Sequence, residues 1–149
     1  MCLTTDKRRT EVFARRMPDK GKVKMWKEYR RDSTSTGRPR LRSTLYHRGF
    51  IKPGTVKSNR EQQALGKDAK DSQEYCDWDH RQVCAVNRGI HVYSTRKPTF
   101  EHYSHSSYVY VPVYVEKKHL VAGNWLEGEA VFMQVTLYKK DYDAALNVR

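Results

Sequence analysis

The residues of this chain best suited to chemistry are cations set beside flat rings: Trp26-Lys27, Tyr29-Arg30-Arg31 and Tyr46-His47-Arg48. Cations neutralise phosphate while rings stack on bases, which is the pairing that nucleotides and single-stranded nucleic acid require. Arginine offers a planar fork to phosphate oxygens. Arg38, Arg40, Arg42 and Arg48 are therefore the first candidates for phosphate contacts, and Lys24, Lys27, Arg30 and Arg31 form a second group. Trp26, Tyr29 and Tyr46 are the candidate stacking platforms. Tyrosines on half-buried strands are also simply good β residues with a wet hydroxyl, so the distribution of charge carries more weight than any one ring. Residues 1–60 hold 18 Lys/Arg against 5 Asp/Glu, while residues 61–149 hold 11 against 12. An excess of +13 followed by −1 creates a one-sided field, and such a field draws polyanions.

Two further constellations bear on chemistry. Cys76, His80 and Cys84 recur every four residues, which on a helix would align them as three soft ligands for zinc, with a fourth from His91, His102 or His105. The spacing matches no standard zinc module, and Cys84 lies in an apolar run that reads as a strand, so ordinary buried thiols are the competing reading. Removal of Met1 would expose Cys2 as an amino-terminal thiol with its own amine as base. The partner Asn or Asp and the oxyanion hole of such a hydrolase have no counterpart in the sequence, and an incidental cysteine is the plainer reading.

The elements that must position these residues read as an α+β fold, a single domain built on a mainly antiparallel sheet with short helices. Residues 1–21 show no sustained period and read as a basic, partly irregular arm; residues 22–149 read as the domain. From Lys22 the chain alternates as a strand with Val23 and Met25 on one face. Residues 31–42 read as a flexible basic loop, since Gly37 and Pro39 argue against regular structure. A short strand is expected at 44–48, a Pro-Gly turn at 52–55, and an exposed polar insertion around 58–79. Val83–Val86 and Ile90–Tyr93 read as two runs joined by a tight turn at Asn87-Arg88-Gly89. A short helix follows at 99–104. Tyr108–Val115 is the clearest strand, four valines on one face and three tyrosines on the other, with Pro112 confining it to an edge or a bulge. Ala130–Tyr138 reads as one more strand with Val131, Met133, Val135 and Leu137 on one face, and a helix at 140–146 closes the chain.

Composition excludes several classes. No stretch reaches the length of a membrane span, and the first thirty residues are too charged for a secretory signal. Three cysteines, an odd number without framework spacing, fit free thiols in a reducing compartment. An intracellular location is expected.

The series Leu45-Tyr46-His47-Arg48-Gly49, then Gly89-Ile90-His91-Val92-Tyr93-Ser94-Thr95, then Phe100-Glu101-His102-Tyr103 before the Tyr/Val strand resembles the order of elements in ADP-ribosyltransferases. That resemblance implies that His47 or Arg48 would hold NAD, Tyr93 and Tyr103 would stack on nicotinamide, and Glu127 or Glu129 would polarise the ribose hydroxyl. A broader resemblance rests on the Met1-Cys2-Leu3 start, the segment 24–29, the turn 49–54, the segment 89–93 and the closing apolar strands. These are similar to small uncharacterised proteins of large DNA viruses, phages and some bacteria that share an N-terminal Met-Cys-Leu. It implies a viral context and no activity.

The expectation drawn from all this is a virus-encoded binding protein, without cofactor, whose basic front half contacts nucleic acid or another phosphate-rich polyanion. The alternatives are an NAD-using ADP-ribosyltransferase-like enzyme, with His47, Tyr93 and Glu129 as its catalytic residues, and a virion or assembly protein that self-associates through Tyr108–Val115.

Overall fold

A computed structural model describes residues 3–43, 50–57, 75–76, 83–86, 89–95 and 108–147. The strands are β1 (Leu3–Thr5), β2 (Val23–Ser33), β3 (Pro39–Ser43), β4 (Phe50–Ile51), β5 (Gly54–Lys57), β6 (Tyr75–Cys76), β7 (Val83–Val86), β8 (Ile90–Tyr93), β9 (Tyr108–Val115), β10 (Leu120–Asn124), β11 (Glu129–Phe132) and β12 (Gln134–Leu137). Two helices, α1 (Lys7–Arg16) and α2 (Lys139–Asn147), and one short 3-10 turn complete the described residues. The larger sheet has the order β10-β11-β8-β2-β9-β12-β5, with β3 joined to β2 and β4 to β3. Every ladder is antiparallel. This is the single α+β domain with a mainly antiparallel sheet that the residue pattern called for.

The central pair is β2 and β9, in register from Val23↔Val115 to Arg30↔Tyr108. Val109, Val111, Val113 and Val115 are buried on the inner face, together with Met25 and Tyr29 of β2. Each valine so placed contributes about 1.5–3 kcal/mol relative to exposure. Ile90, Val92, Ala130, Phe132, Val135 and Leu137 extend the same core, and α2 closes over it with Tyr142 and Ala145. A second, smaller core of Leu3, Val121, Ala122 and Val131 lies on the other face of β11. There β1 packs as part of a three-stranded sheet in the order β1-β7-β6.

The leading segment is not an arm outside the domain. Asp6 caps α1 by accepting a hydrogen bond from the Arg9 backbone N–H at 2.7 Å, and Arg15 and Arg16 in the last turn suit the negative end of the helix dipole. The helix stops at Arg16 because Met17 precedes Pro18 and is held extended. Phe13 and Met17, four residues apart, are both buried. Phe13 packs onto Gly123 of β10, where a Cβ would stand 2.5 Å from the ring. The missing side chain is what lets α1 lie on the sheet.

Several local expectations are corrected. Residues 31–42 are mostly strand: β2 continues to Ser33, and β3 returns from Pro39 in register with it. Only 34–38 form the turn, closed by Thr34 and Arg38 and helped by Gly37 at φ +79°. The β7 and β8 runs belong to different sheets and make no hairpin. Ala130–Tyr138 breaks at Met133 into β11 and β12, so Val131 faces the small core while Val135 and Leu137 face the large one. Pro112 sits opposite Trp26 in an interior strand. It is tolerated there because the ladder of β9 with β12 is confined to Tyr114↔Thr136, and Pro112 takes no part in it. Of the two edges of Tyr108–Val115, β2 pairs with one throughout and β12 meets the other at Tyr114. The strand expected at 44–48, the helix at 99–104 and most of the 58–79 insertion lie outside the described residues.

Candidate nucleic-acid interface

Period-two alternation along β2 sends Met25, Lys27 and Tyr29 inward and Lys24, Trp26, Glu28 and Arg30 to the opposite face. Residues opposite each other in an antiparallel ladder share a face, so the register builds that outer face row by row. Lys24 lies beside Tyr114, which lies beside Thr136 on its other side; Trp26 lies between Pro112 and Tyr93, and Glu28 beside Tyr110. Arg30 lies between Tyr108 and Arg42, and Asp32 beside Arg40. Cations and rings alternate across it. The Lys24 ammonium stands 4.8 Å from the Trp26 ring centre, and Lys22 stands 5.7 Å from that of Tyr138, which meets Tyr114 edge to face at 4.9 Å. A cation resting on one side of a ring fixes it as a platform and brings positive charge beside it.

Of the sequence candidates, Lys24, Arg30, Arg40 and Arg42 converge on this face with Trp26, and Arg38 is exposed in the adjoining turn. Arg42 is partly spent: its Nε lies 3.5 Å from the Asp32 carboxylate, and its guanidinium lies over Phe50. Arg40 donates a hydrogen bond to the Pro39 carbonyl at 3.3 Å. No carboxylate among the described residues pairs with Lys24, Arg30 or Arg38.

Three candidates are corrected. Lys27 is 5% exposed on the core face opposite Val111, and burial pulls its ammonium down to about 8, with the Glu28 charge opposing. It cannot reach phosphate. Tyr29 is 1% exposed on the same face, its hydroxyl pushed well above the ordinary range by burial, so it is core and not a stacking platform. Arg31 pairs with buried Leu41, on the side away from Lys24 and Arg30. Arg48, Tyr46 and His47 lie outside the described residues, as do Cys2, Tyr103, His80, His102 and His105. Cys76 and Cys84 lie on the antiparallel strands β6 and β7, in register with Val83 and Tyr75. The shared helical face on which three zinc ligands depended is absent.

Between the rows of Trp26 and Arg30 lies an acidic position, Glu28, that charge counting did not reveal. Tyr110 donates a hydrogen bond to Glu28 at 2.9 Å, and its ring meets Tyr93 at 6.1 Å, edge to face. Glu129 is the direct cross-strand partner of Tyr93, so these two residues of the NAD-binding expectation do come together. Burial, then the charges of Glu129 and Glu28, push the Tyr93 hydroxyl up to about 12. Burial, then the bond to Glu28, raise that of Tyr110 further. Both tyrosines stay protonated donors throughout the neutral range. The parity of Glu28 with Trp26, and of Tyr110 with Tyr108, was the signal available for this row.

No helix among the described residues is long and apolar enough to cross a membrane. Comparisons with protein-family models, with curated proteins and with solved structures return no match.

Proposed function

We propose that the chain binds a phosphate-rich polyanion, single-stranded nucleic acid above all, across the outer face of β2, β3 and β9. One observation carries the reading: Lys24, Arg30 and Arg40 share a face with Trp26, Tyr108 and Tyr114, so charge and stacking surface stand in adjoining rows. Strand spacing of about 4.8 Å across the sheet sets neighbouring rings and cations at distances a nucleotide chain can follow, and sheet-face rings are a sequence-tolerant stacking platform. Glu28, held by Tyr110, stands between Trp26 and Arg30 on this face, and Glu129 shares the row of Tyr93 and Trp26; both carboxylates would repel phosphate and hold the bound strand to the cations on either side. A second reading, ADP-ribosyl transfer from NAD, has one observation in its favour, the Tyr93–Glu129 cross-strand pair.

Fluorescence anisotropy of labelled oligo-dT across a salt series tests the first reading. Replacing Arg30, Arg38 and Arg40 together by Ala removes three phosphate contacts, and the slope of log K on log salt should become shallower by about 2, since each contact on a single strand contributes about 0.7. Binding that ignores both salt and these substitutions refutes it.

A further inference from the structure

At the far end of the sheet, separated from β2 by β11 and β8, a second surface has different chemistry. The turn between β10 and β11 carries Trp125 and Leu126, 41% and 70% exposed, two of the three exposed large hydrophobic side chains among the described residues. The turn does not need them. Asn124 accepts a hydrogen bond from the Leu126 N–H at 3.2 Å, and Gly128, at φ +66°, donates its N–H to the Trp125 carbonyl at 3.2 Å. Polar residues usually occupy such a tip, because apolar ones there gain no packing.

A groove of about 500 Å³ opens between this turn and α1, with Val12, Trp125 and Leu126 as its apolar lining and Asp6, Arg8 and Arg9 at its margin. The volume lies within the range of built binding clefts. Arg16 lays its guanidinium 3.3 Å from the centre of the Trp125 ring, fixing the indole in place. Arg9 is tied to Asp6, whereas Arg8 is exposed. The helix as a whole carries Lys7, Arg8, Arg9, Arg15 and Arg16 against Glu11 alone.

We infer that this groove docks a partner protein through a short acidic segment that carries a large apolar side chain. The lining calls for an aliphatic or aromatic anchor, and the cationic margin calls for carboxylates on either side of it. Nucleic acid fits less well, because Leu126, the most exposed group, neither stacks on a base nor binds phosphate. A flat bilayer fits less well too, because Val12 lies on the helix wall of a concave site. The inference is independent of the nucleic-acid reading, since the two surfaces share no residue.

The probes are a short labelled peptide with carboxylates around a central Leu-Phe pair, the same peptide with Ser-Ser at its centre, oligo-dT, and phosphatidylserine vesicles. The Leu-Phe peptide should bind at least about tenfold more tightly than the Ser-Ser peptide, and Leu126→Asp and Arg8→Glu should each weaken it about tenfold. Replacing Arg30, Arg38 and Arg40 should leave peptide binding unchanged, which separates failure here from failure of the nucleic-acid reading. Thermal melts of both variants check that the fold persists, and Leu126 is exposed enough for it to do so. Failure of the Leu-Phe peptide to bind at millimolar concentration, equal binding of both peptides, or indifference to Leu126→Asp would overturn the inference. So would a loss on Leu126→Asp seen only with vesicles or oligo-dT, which would reassign the surface to lipid or nucleic acid.

Discussion

Replacing Lys27 by Met should make the protein more stable at neutral pH, and the gain should vanish in alkali. Lys27 is 5% exposed among the inward side chains of β2 and β9, and burial lowers its ammonium from 10.5 to about 8. Its folded pKa is depressed, so between about 8 and 10.5 the unfolded chain holds more protons than the folded one, and stability rises with pH across that window. Below it the lysine is charged in both states and the whole cost of burying the charge is present; above it the cost is gone. A difference of about 2.5 pKa units corresponds to about 3 kcal/mol. The Lys27 ammonium lies 5.7 Å from the Tyr29 ring centre, a contact that stabilises the charged form and so makes about 3 kcal/mol an upper bound. Methionine keeps the unbranched length and removes the charge. Urea midpoints at pH 7 and at pH 10.5, for both proteins, isolate the effect, because every other titrating group is common to the pair. The expected result is a gain of up to about 3 kcal/mol at pH 7 that shrinks toward zero by pH 10.5. A difference that stays constant across the range, or a loss of stability at pH 7, would refute a buried ammonium. Oligo-dT binding at pH 7 should be untouched, because Lys27 lies on the face away from Trp26.

Gly123→Ala should destabilise by about 1–3 kcal/mol, since a Cβ there would stand 2.5 Å from the Phe13 ring and α1 would have to lift from β10; chemical denaturation measures it. Far-ultraviolet circular dichroism of the folded variant should keep the sheet signal. On the ADP-ribosyl reading, incubation with NAD should release nicotinamide, and Glu129→Gln should abolish that release without altering the melting temperature; no release from the parent protein removes the reading.

The parts of the fold that could be read from sequence are those where alternation is clean and one face is wholly apolar. The run Tyr108–Val115 shows both at once, and the segment from Val23 shows enough of it to start β2. The return strand β3 was hidden because Ser, Thr, Gly and Pro cluster on either side of a turn only five residues wide, and the cross-strand bonds that make 31–33 and 39–42 regular are not a local property. Helix α1 was hidden for a different reason. Its inward face needs only Phe13 and Met17, and five cations on the remaining faces mask their spacing. Met133 looked like one more member of an alternating strand, yet its N–H bonds to the His119 carbonyl at 2.8 Å, and that break lets β11 and β12 serve different cores. Lys27 and Tyr29 share the parity of Met25, so their inward direction was present in the pattern. Reading Trp26-Lys27 and Tyr29-Arg30 as neighbours grouped residues that the alternation sends to opposite faces.

Topology converts a lopsided distribution of charge along the chain into two separate surfaces. The cations of the first sixty residues part company when α1 is laid on β10 while β2 takes the centre of the sheet, with β11 and β8 between them. Strand spacing makes that separation about 14 Å or more, beyond the Debye length of about 8 Å at physiological salt, so exposed charges on one surface barely influence ligands on the other. The salt dependence of nucleic-acid binding should therefore count only Lys24, Arg30, Arg38 and Arg40 and their immediate neighbours, however strongly the whole chain is charged. Each surface also has its own apolar complement: Trp26, Tyr108 and Tyr114 on one, Trp125 and Leu126 on the other. Solubility alone would call for charge without these rings and the exposed leucine, and on the proposed readings it is their placement beside cations such as Arg30 and Arg8, which pair with no carboxylate among the described residues, that would make these surfaces recognition sites.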